Sequence, residues 1–236
     1  MLLQTAAPLQ TDLAKIITAV AGLGTAAFGV VDAGKALFGI NHIGFSGIRA
    51  AMIPLLPTGA TPGTNGLTQE KALATLNANW INGTDLAAQK AIAKSLVKLN
   101  LHPQNAAALA AATGVNSAML QIVAQSIADG TPLTPAQSDV YARFDLIVTA
   151  LLDEAYQRAD QVYRNWTRTL AMLVAVILAI IGGIIIDGKD AWFRSNRAIG
   201  ASLLVGLLAT PLAPIAKDLS SAIAAAVNAA QSVKKS

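Results

Sequence analysis

Residues 169–186 read TLAMLVAVILAIIGGIII, eighteen consecutive positions without a charge. Wound as an α-helix, the stretch covers about 27 Å, close to the ~30 Å hydrocarbon core of a bilayer. Arg164 and Arg168 precede it, and Asp187, Lys189 and Asp190 follow it. Trp166 and Trp192 bracket it at a helical separation of about 39 Å, near the spacing of the two headgroup belts where indoles concentrate. A core helix of a water-soluble protein rarely runs this far uncharged, so the stretch reads as a transmembrane span.

Working outward, a second apolar run follows a short polar turn, from Ala198 to Ala216, and stops at Lys217. So short a turn predicts two antiparallel neighbours, a C-terminal transmembrane hairpin with tail over residues 166–236. Gly200, Ala201, Gly206 and Ala209 supply small surfaces on which another helix can pack closely. Pro211 and Pro214 each remove a backbone donor and should bend or unwind the helix. Broken helices and intramembrane polar groups recur along ion and water paths. Thr210, Pro211 and Pro214, with Lys217 and Asp218 at the end of the run, are therefore the candidate pore or helix-kink residues.

The N-terminal segment, 1–57, reads as membrane-bound or interfacial. Residues 16–31 are uncharged and rich in small residues (Gly22, Gly24, Ala26, Ala27, Gly29), between Lys15 and the pair Asp32 and Lys35. We expect this run to cross the bilayer; lying in the interface or packing inside the protein are the alternatives. The start, Met-Leu-Leu-Gln-Thr, lacks the positive charge that opens a secretory signal, so the run is expected to be retained. Phe45–Leu56 is apolar but too short to span, and is expected to lie along the membrane surface. A Pro/Gly/Thr linker, TGATPGTN, occupies residues 58–65.

Residues 64–165 read as a water-soluble helical domain. Helices are predicted at about 68–80, 85–99, 104–113 and 117–128, with Gly83 and Asn100 as stops, Pro103 in a first turn, Asn116 as an N-cap, and Gly114 and Gly130 as C-terminal caps. Apolar residues recur at helical spacing, never in alternation, so no strand is expected. Thr134, Pro135 and Gln137 spell a capping box with proline at the first helical position. Nothing after them stops a helix before Gly182–Gly183, which predicts one long helix running into the membrane. Val140, Phe144, Ile147, Leu151, Ala155, Ala159, Val162 and Trp166 form an apolar stripe along it. We expect Val140, Phe144, Ile147, Leu151 and Val162 in particular to pack against other helices or against copies of the same chain.

Composition agrees with an all-α integral membrane protein. Of 236 residues, 54% are hydrophobic and 13% charged, about half the charge usual for a soluble domain. The net charge of +4 comes from basic residues spread along the chain. A nucleic-acid surface would need them clustered, and the second helix of the helix-turn-helix-like stretch Leu109–Val123 has neither Lys nor Arg. No nucleic-acid partner is expected. The chain has no cysteine, which excludes disulfides, thiolate catalysis and Cys-ligated metals. His42 and His102 stand about sixty residues apart without carboxylates at ligand spacing. No catalytic, cofactor or metal residues are therefore assigned, and the chain is not expected to be an enzyme. Asp153 and Glu154 read as solvated charge.

Arg143, Arg158, Arg164 and Arg168, with Lys71, Lys90, Lys94 and Lys98, lie on one side of the hairpin together with Lys217, Lys234 and Lys235. The connecting turn holds only Lys189, Arg194 and Arg197. The positive-inside rule then makes the middle domain and the C-terminus cytoplasmic. On that side the glycosylation patterns Asn82-Gly-Thr84 and Asn165-Trp-Thr167 are chance matches.

This layout of one early span, a large cytoplasmic helical region and two late spans is similar to the proton-channel subunits of the TonB and Tol energising systems. Residues 206–213, GLLATPLA, resemble the last span of that family. The Gly/Thr-rich pattern of its preceding span is absent from 169–186, so the resemblance is one of architecture. It implies a bacterial inner membrane. The resulting expectation is a homo-oligomeric membrane protein in contact with lipid, a channel or pore subunit with a cytoplasmic helical stalk. The alternative is a membrane-anchored scaffold or adaptor that binds a protein partner through its cytoplasmic helices.

Overall fold

The computed structural model describes the backbone of residues 6–35, 39–56 and 68–235, and the side chains of 15–35, 39–56 and 68–215. Every described element is helical. In order these are α1 (Ala6–Gly34), a 3-10 turn (Ile40–His42), α2 (Phe45–Met52), α3 (Gln69–Ile81), α4 (Leu86–Leu99), α5 (Ala106–Thr113), α6 (Ser117–Ala128), α7 (Pro135–Asp187), α8 (Lys189–Arg194) and α9 (Asn196–Lys235). Three of them, α1, α7 and α9, are long and apolar enough to cross a membrane, which points to membrane association. The helices form two compact units, residues 41–164 and residues 1–40 with 165–236. Residues 58–65, read above as a linker, lie outside the described residues.

In the unit of residues 41–164, the sequence signals for helix ends act as the chemistry requires. Asp85 accepts from the amides of Ala87 and Ala88 at 2.9 and 3.3 Å, and Asn116 accepts from Met119 at 2.9 Å. Gly114 ends α5 at a left-handed φ of 72°. At the head of α7 the Gln137 side chain accepts from the Thr134 amide at 2.7 Å, while Thr134 Oγ1 receives the Gln137 amide at 3.4 Å. Pro103 lies in a turn rather than a first helical turn, because α5 begins only at Ala106.

The core of this unit is built on α7. Phe144, Val148, Leu152, Tyr156 and Ala159 are buried, at spacings of four, four, four and three. They join Leu76 of α3, Val97 of α4, Leu109 of α5 and Leu120 of α6 in one hydrophobic cluster. Ile48, Met52, Leu55 and Leu56 belong to the same cluster, which corrects the expectation that Phe45–Leu56 lies on the membrane surface. The physical reason is local. The Gln69 side chain donates to the carbonyls of Ile53 and Leu56, at 3.2 and 2.6 Å, and ties the end of the patch to the start of α3. The Trp80 indole also donates to the Ile43 carbonyl at 3.2 Å.

Charges clamp α4 along α7. Lys90 pairs with Asp153 at 2.6 Å, and Lys94 and Lys98 pair with Asp145 at 2.6 and 2.7 Å. Asp153, with a half-exposed side chain, is thus both solvated and a partner in the fold. Burial pushes the Asp145 carboxyl up, but hydrogen bonds and charge from Lys94 and Lys98 together hold it below the usual carboxylate range. The hydrogen bond to Asp145 raises Lys98, whose ammonium also lies 5.5 Å from the Tyr141 ring centre. Burial alone pushes the Tyr156 phenol up to about 12.

Small residues make the packing of the other unit. Ala27 of α1, Ala175 of α7 and Ala209 of α9 are fully buried against one another. Along α7 the seam is Ala171, Ala175 and Ala179, one residue per turn. A Cβ on Gly24 would lie 2.1 Å from the Ala209 carbonyl oxygen, and one on Gly206 would lie 2.4 Å from the Val176 Cα. At both places backbone meets backbone, and no side chain larger than hydrogen fits. Without a hydrophobic drive between helices in lipid, such close van der Waals contact is the main source of cohesion. Past α7, the Trp192 indole is buried against Gly183 and donates to Ser202 Oγ at 3.2 Å, which fixes α8 on the start of α9.

Candidate functional site

The intramembrane candidates of α9 divide between two faces. Thr210 is buried, whereas Pro211 and Pro214 are exposed. The helix continues through both prolines instead of unwinding. Each proline still lacks an amide hydrogen, so the carbonyls of Leu207 and Thr210, four residues before, lose their helical donors. The Thr210 hydroxyl also has no hydrogen-bond partner among the described residues. Polar groups therefore cluster at one level of α9, with the Thr210 side chain turned towards the seam and not outward. The side chains of Lys217 and Asp218 lie outside the described residues.

The outward faces of the three membrane-length helices differ in kind. On α7 the exposed residues include Leu173, Ile177, Ile181 and Ile185, and on α9 Leu203, Leu204, Leu207, Leu208 and Ile215. These are lipid-type surfaces. On α1 the exposed positions include Thr18, Gly22, Thr25 and Gly29, at spacings of four, three and four, with Ala26 beside them, and the larger Ile16 and Val30 are exposed as well. A Cβ on Gly22 or Gly29 would meet nothing within 4 Å. The Thr25 hydroxyl donates to the Ala21 carbonyl at 3.1 Å. Thus α1 has two small faces, one spent on α9 and one presented outward.

The stripe on α7 is partly absorbed within the chain. Phe144 is fully buried, and Val140 and Leu151 pack against the same core. Ile147 is half-buried, Val162 is 39% exposed and Trp166 is 54% exposed. The core therefore accounts for Phe144, Val140 and Leu151 without a second copy.

One site gave no sequence signal. In the unit of residues 41–164 a cavity of about 370 Å³ opens between the α3–α4 turn and α7. Trp80, Asp85, Gln89, Asp160, Tyr163 and Arg164 are among the residues lining it. Trp80 and Tyr163 meet edge to face with ring centres 6.1 Å apart, and Asp160 pairs with Arg164 at 2.7 Å. Among the described residues no group of three His, Asp or Glu side chains is placed to hold a metal ion.

No known protein family, curated protein or solved structure matches this chain.

Proposed function

We propose that the chain is a homo-oligomeric, three-span membrane protein whose copies meet on the outward face of α1 and enclose a pore. The supporting observation is the row of small exposed residues on α1, Thr18, Gly22, Thr25, Ala26 and Gly29, between the exposed Ile16 and Val30, where α7 and the later part of α9 expose mainly Leu and Ile. Large branched residues suit lipid, and small residues suit a second helix. In this arrangement Thr18 and Thr25 supply the polar lining. Thr210, turned towards the seam, serves as a packing and kink residue within each copy. The spans of α7 and α9 form the C-terminal hairpin, with α8 as its turn. Residues 41–164 and the C-terminus lie on the positive, cytoplasmic side of a bacterial inner membrane.

A Cβ at Gly22 or at Gly29 meets nothing within 4 Å, so the double variant Gly22→Leu with Gly29→Leu should fold and insert. It should run as a single copy by light scattering in detergent, whereas the parent runs as a multiple, and reconstituted conductance should vanish with the assembly. A parent that is already monomeric would refute the proposal.

A second reading is a membrane-anchored adaptor that holds a protein partner through its helical domain. The continuity of α7 favours it, because one helix of 53 residues provides both the spine of the domain core and a membrane-length segment. A parent that is oligomeric but electrically silent, yet retains a partner in pull-down, would select this reading.

A further inference from the structure

We propose that the turn of the C-terminal hairpin, α8 with the first residues of α9, holds the headgroup of an anionic phospholipid through Arg194 and Arg197. The proposal rests on the reading of α7 and α9 as membrane spans, and not on the assembly or the pore.

Charge gives the first argument. Residues 187–197 hold Lys189, Arg194 and Arg197 against Asp187 and Asp190, an excess of one positive charge. On α7, Arg143, Arg158 and Arg164 each pair with the carboxylate four residues before, at 3.0, 2.6 and 2.7 Å. Asp190 stands at that same spacing from Arg194, yet neither Arg194 nor Arg197 makes an ion pair among the described residues. Both residues are exposed. In the topology proposed above, the turn also lies on the side that the positive-inside rule leaves poor in Lys and Arg. Three basic residues there call for a counter-charge.

Position gives the second. The buried Trp192 indole, bonded to Ser202 Oγ and set against Gly183, fixes how α8 is turned. At about 100° per residue, Phe193 and Arg194 then point away from that seat. Phe193 meets the Trp192 ring edge to face at 5.0 Å and is still 59% exposed. Ile185 and Ile186, at the end of the charge-free run, are 76% and 83% exposed. Free guanidinium groups and bare apolar side chains thus occur together at one end of the hairpin, as headgroup and acyl chains do in a lipid. Arg194 and Arg197 are three residues apart, so their Cα atoms lie within about 10 Å and one headgroup can reach both.

Chemistry gives the third, and it narrows the lipid. A guanidinium matches a phosphate with two parallel hydrogen bonds and sheds its water more readily than an ammonium does. Basic groups at the membrane surface gain from a net negative headgroup. A zwitterionic lipid carries the same phosphate, but its ammonium is opposed by the excess positive charge of the turn. Free phosphate brings nothing to cover Phe193, Ile185 and Ile186.

The test is native mass spectrometry of the full chain in detergent, titrated with phosphatidylglycerol or with phosphatidylcholine of identical acyl chains. The membranes are first washed at alkaline pH. Release of the chain at that step would overturn the spans and this proposal with them, whereas retention lets the lipid result judge this proposal alone. Phosphatidylglycerol should bind about tenfold more tightly than phosphatidylcholine. Arg194→Gln with Arg197→Gln removes two exposed, unpaired charges, so circular dichroism should be unchanged while phosphatidylglycerol falls to the phosphatidylcholine level. Arg168→Gln, at the other end of the charge-free run, should keep the preference, and Phe193→Ala should weaken both lipids. Equal binding of the two lipids, an unchanged preference in the double variant, or its loss in Arg168→Gln would overturn the proposal.

Discussion

Gly24 and Gly22 lie two positions apart on α1 and have opposite tolerances. At Gly24 any side chain must push the Ala209 backbone away, while Gly22 faces open space. Overpacking of this kind costs about 1–3 kcal/mol. Gly24→Leu should therefore lower the thermal midpoint in detergent, whereas Gly22→Leu should leave the stability of the single copy unchanged. Equal midpoints would mean that α1 does not pack on α9 through this residue. Asp145 makes a different residue-scale prediction. Its folded carboxyl titrates below the ordinary 3.8, so the stability it adds is present above that value and lost as pH falls through the folded one. Lys98 is held above its ordinary 10.5, so its share is present below that value and lost as pH rises through the folded one. The clamp between α4 and α7 should thus act from about pH 4 to about pH 10.5. Melting of Asp145→Asn should fall short of the parent at pH 7 and converge with it as pH falls through the lowered folded value of Asp145. A constant gap across that range would contradict the assigned role.

At the scale of the element, α7 shows what a sequence can and cannot specify. Its start was legible in Thr134, Pro135 and Gln137, and most of its length in the absence of any stop before Gly182–Gly183, which the helix passes through to end at Asp187. Its buried face was displaced by about one residue. Val140, Phe144, Ile147 and Leu151 make an acceptable helical stripe, but so do Phe144, Val148, Leu152 and Tyr156, and only the partner helices choose between them. The second set is the one buried. Phe144 belongs to both sets, and its truncation to Ala should cost about 3–5 kcal/mol of domain stability, measured by denaturant unfolding. Ile147→Ala should cost well under half as much, and a reversed order would restore the original stripe. The case of α2 is similar: its apolar run was plain, but what it packs on was decided by Gln69, beyond the linker. The cavity was illegible for the same reason, because its lining joins residues 80–89 to residues 160–164 and neither stretch carries a motif.

For the whole molecule, three membrane-length helices close on one another through alanine and glycine, and one of them has small residues to spare. The two late runs were evident from charge-free length alone; the early run was marginal because glycine and alanine add little hydrophobicity. That same composition lets α1 approach α9 at backbone distance and still present a small outer face. The account stands on this division of α1, and a cysteine scan reads it directly, since the chain has no cysteine of its own. Single cysteines placed from 18 to 31 in native membranes, followed by oxidation, should link two copies at Thr18, Gly22, Thr25 and Gly29. Val20, Ala27 and Val31 should stay unlinked behind α9 and α7. Cross-linking that is uniform along α1, or that peaks at Ala27 and Val31, would contradict the account.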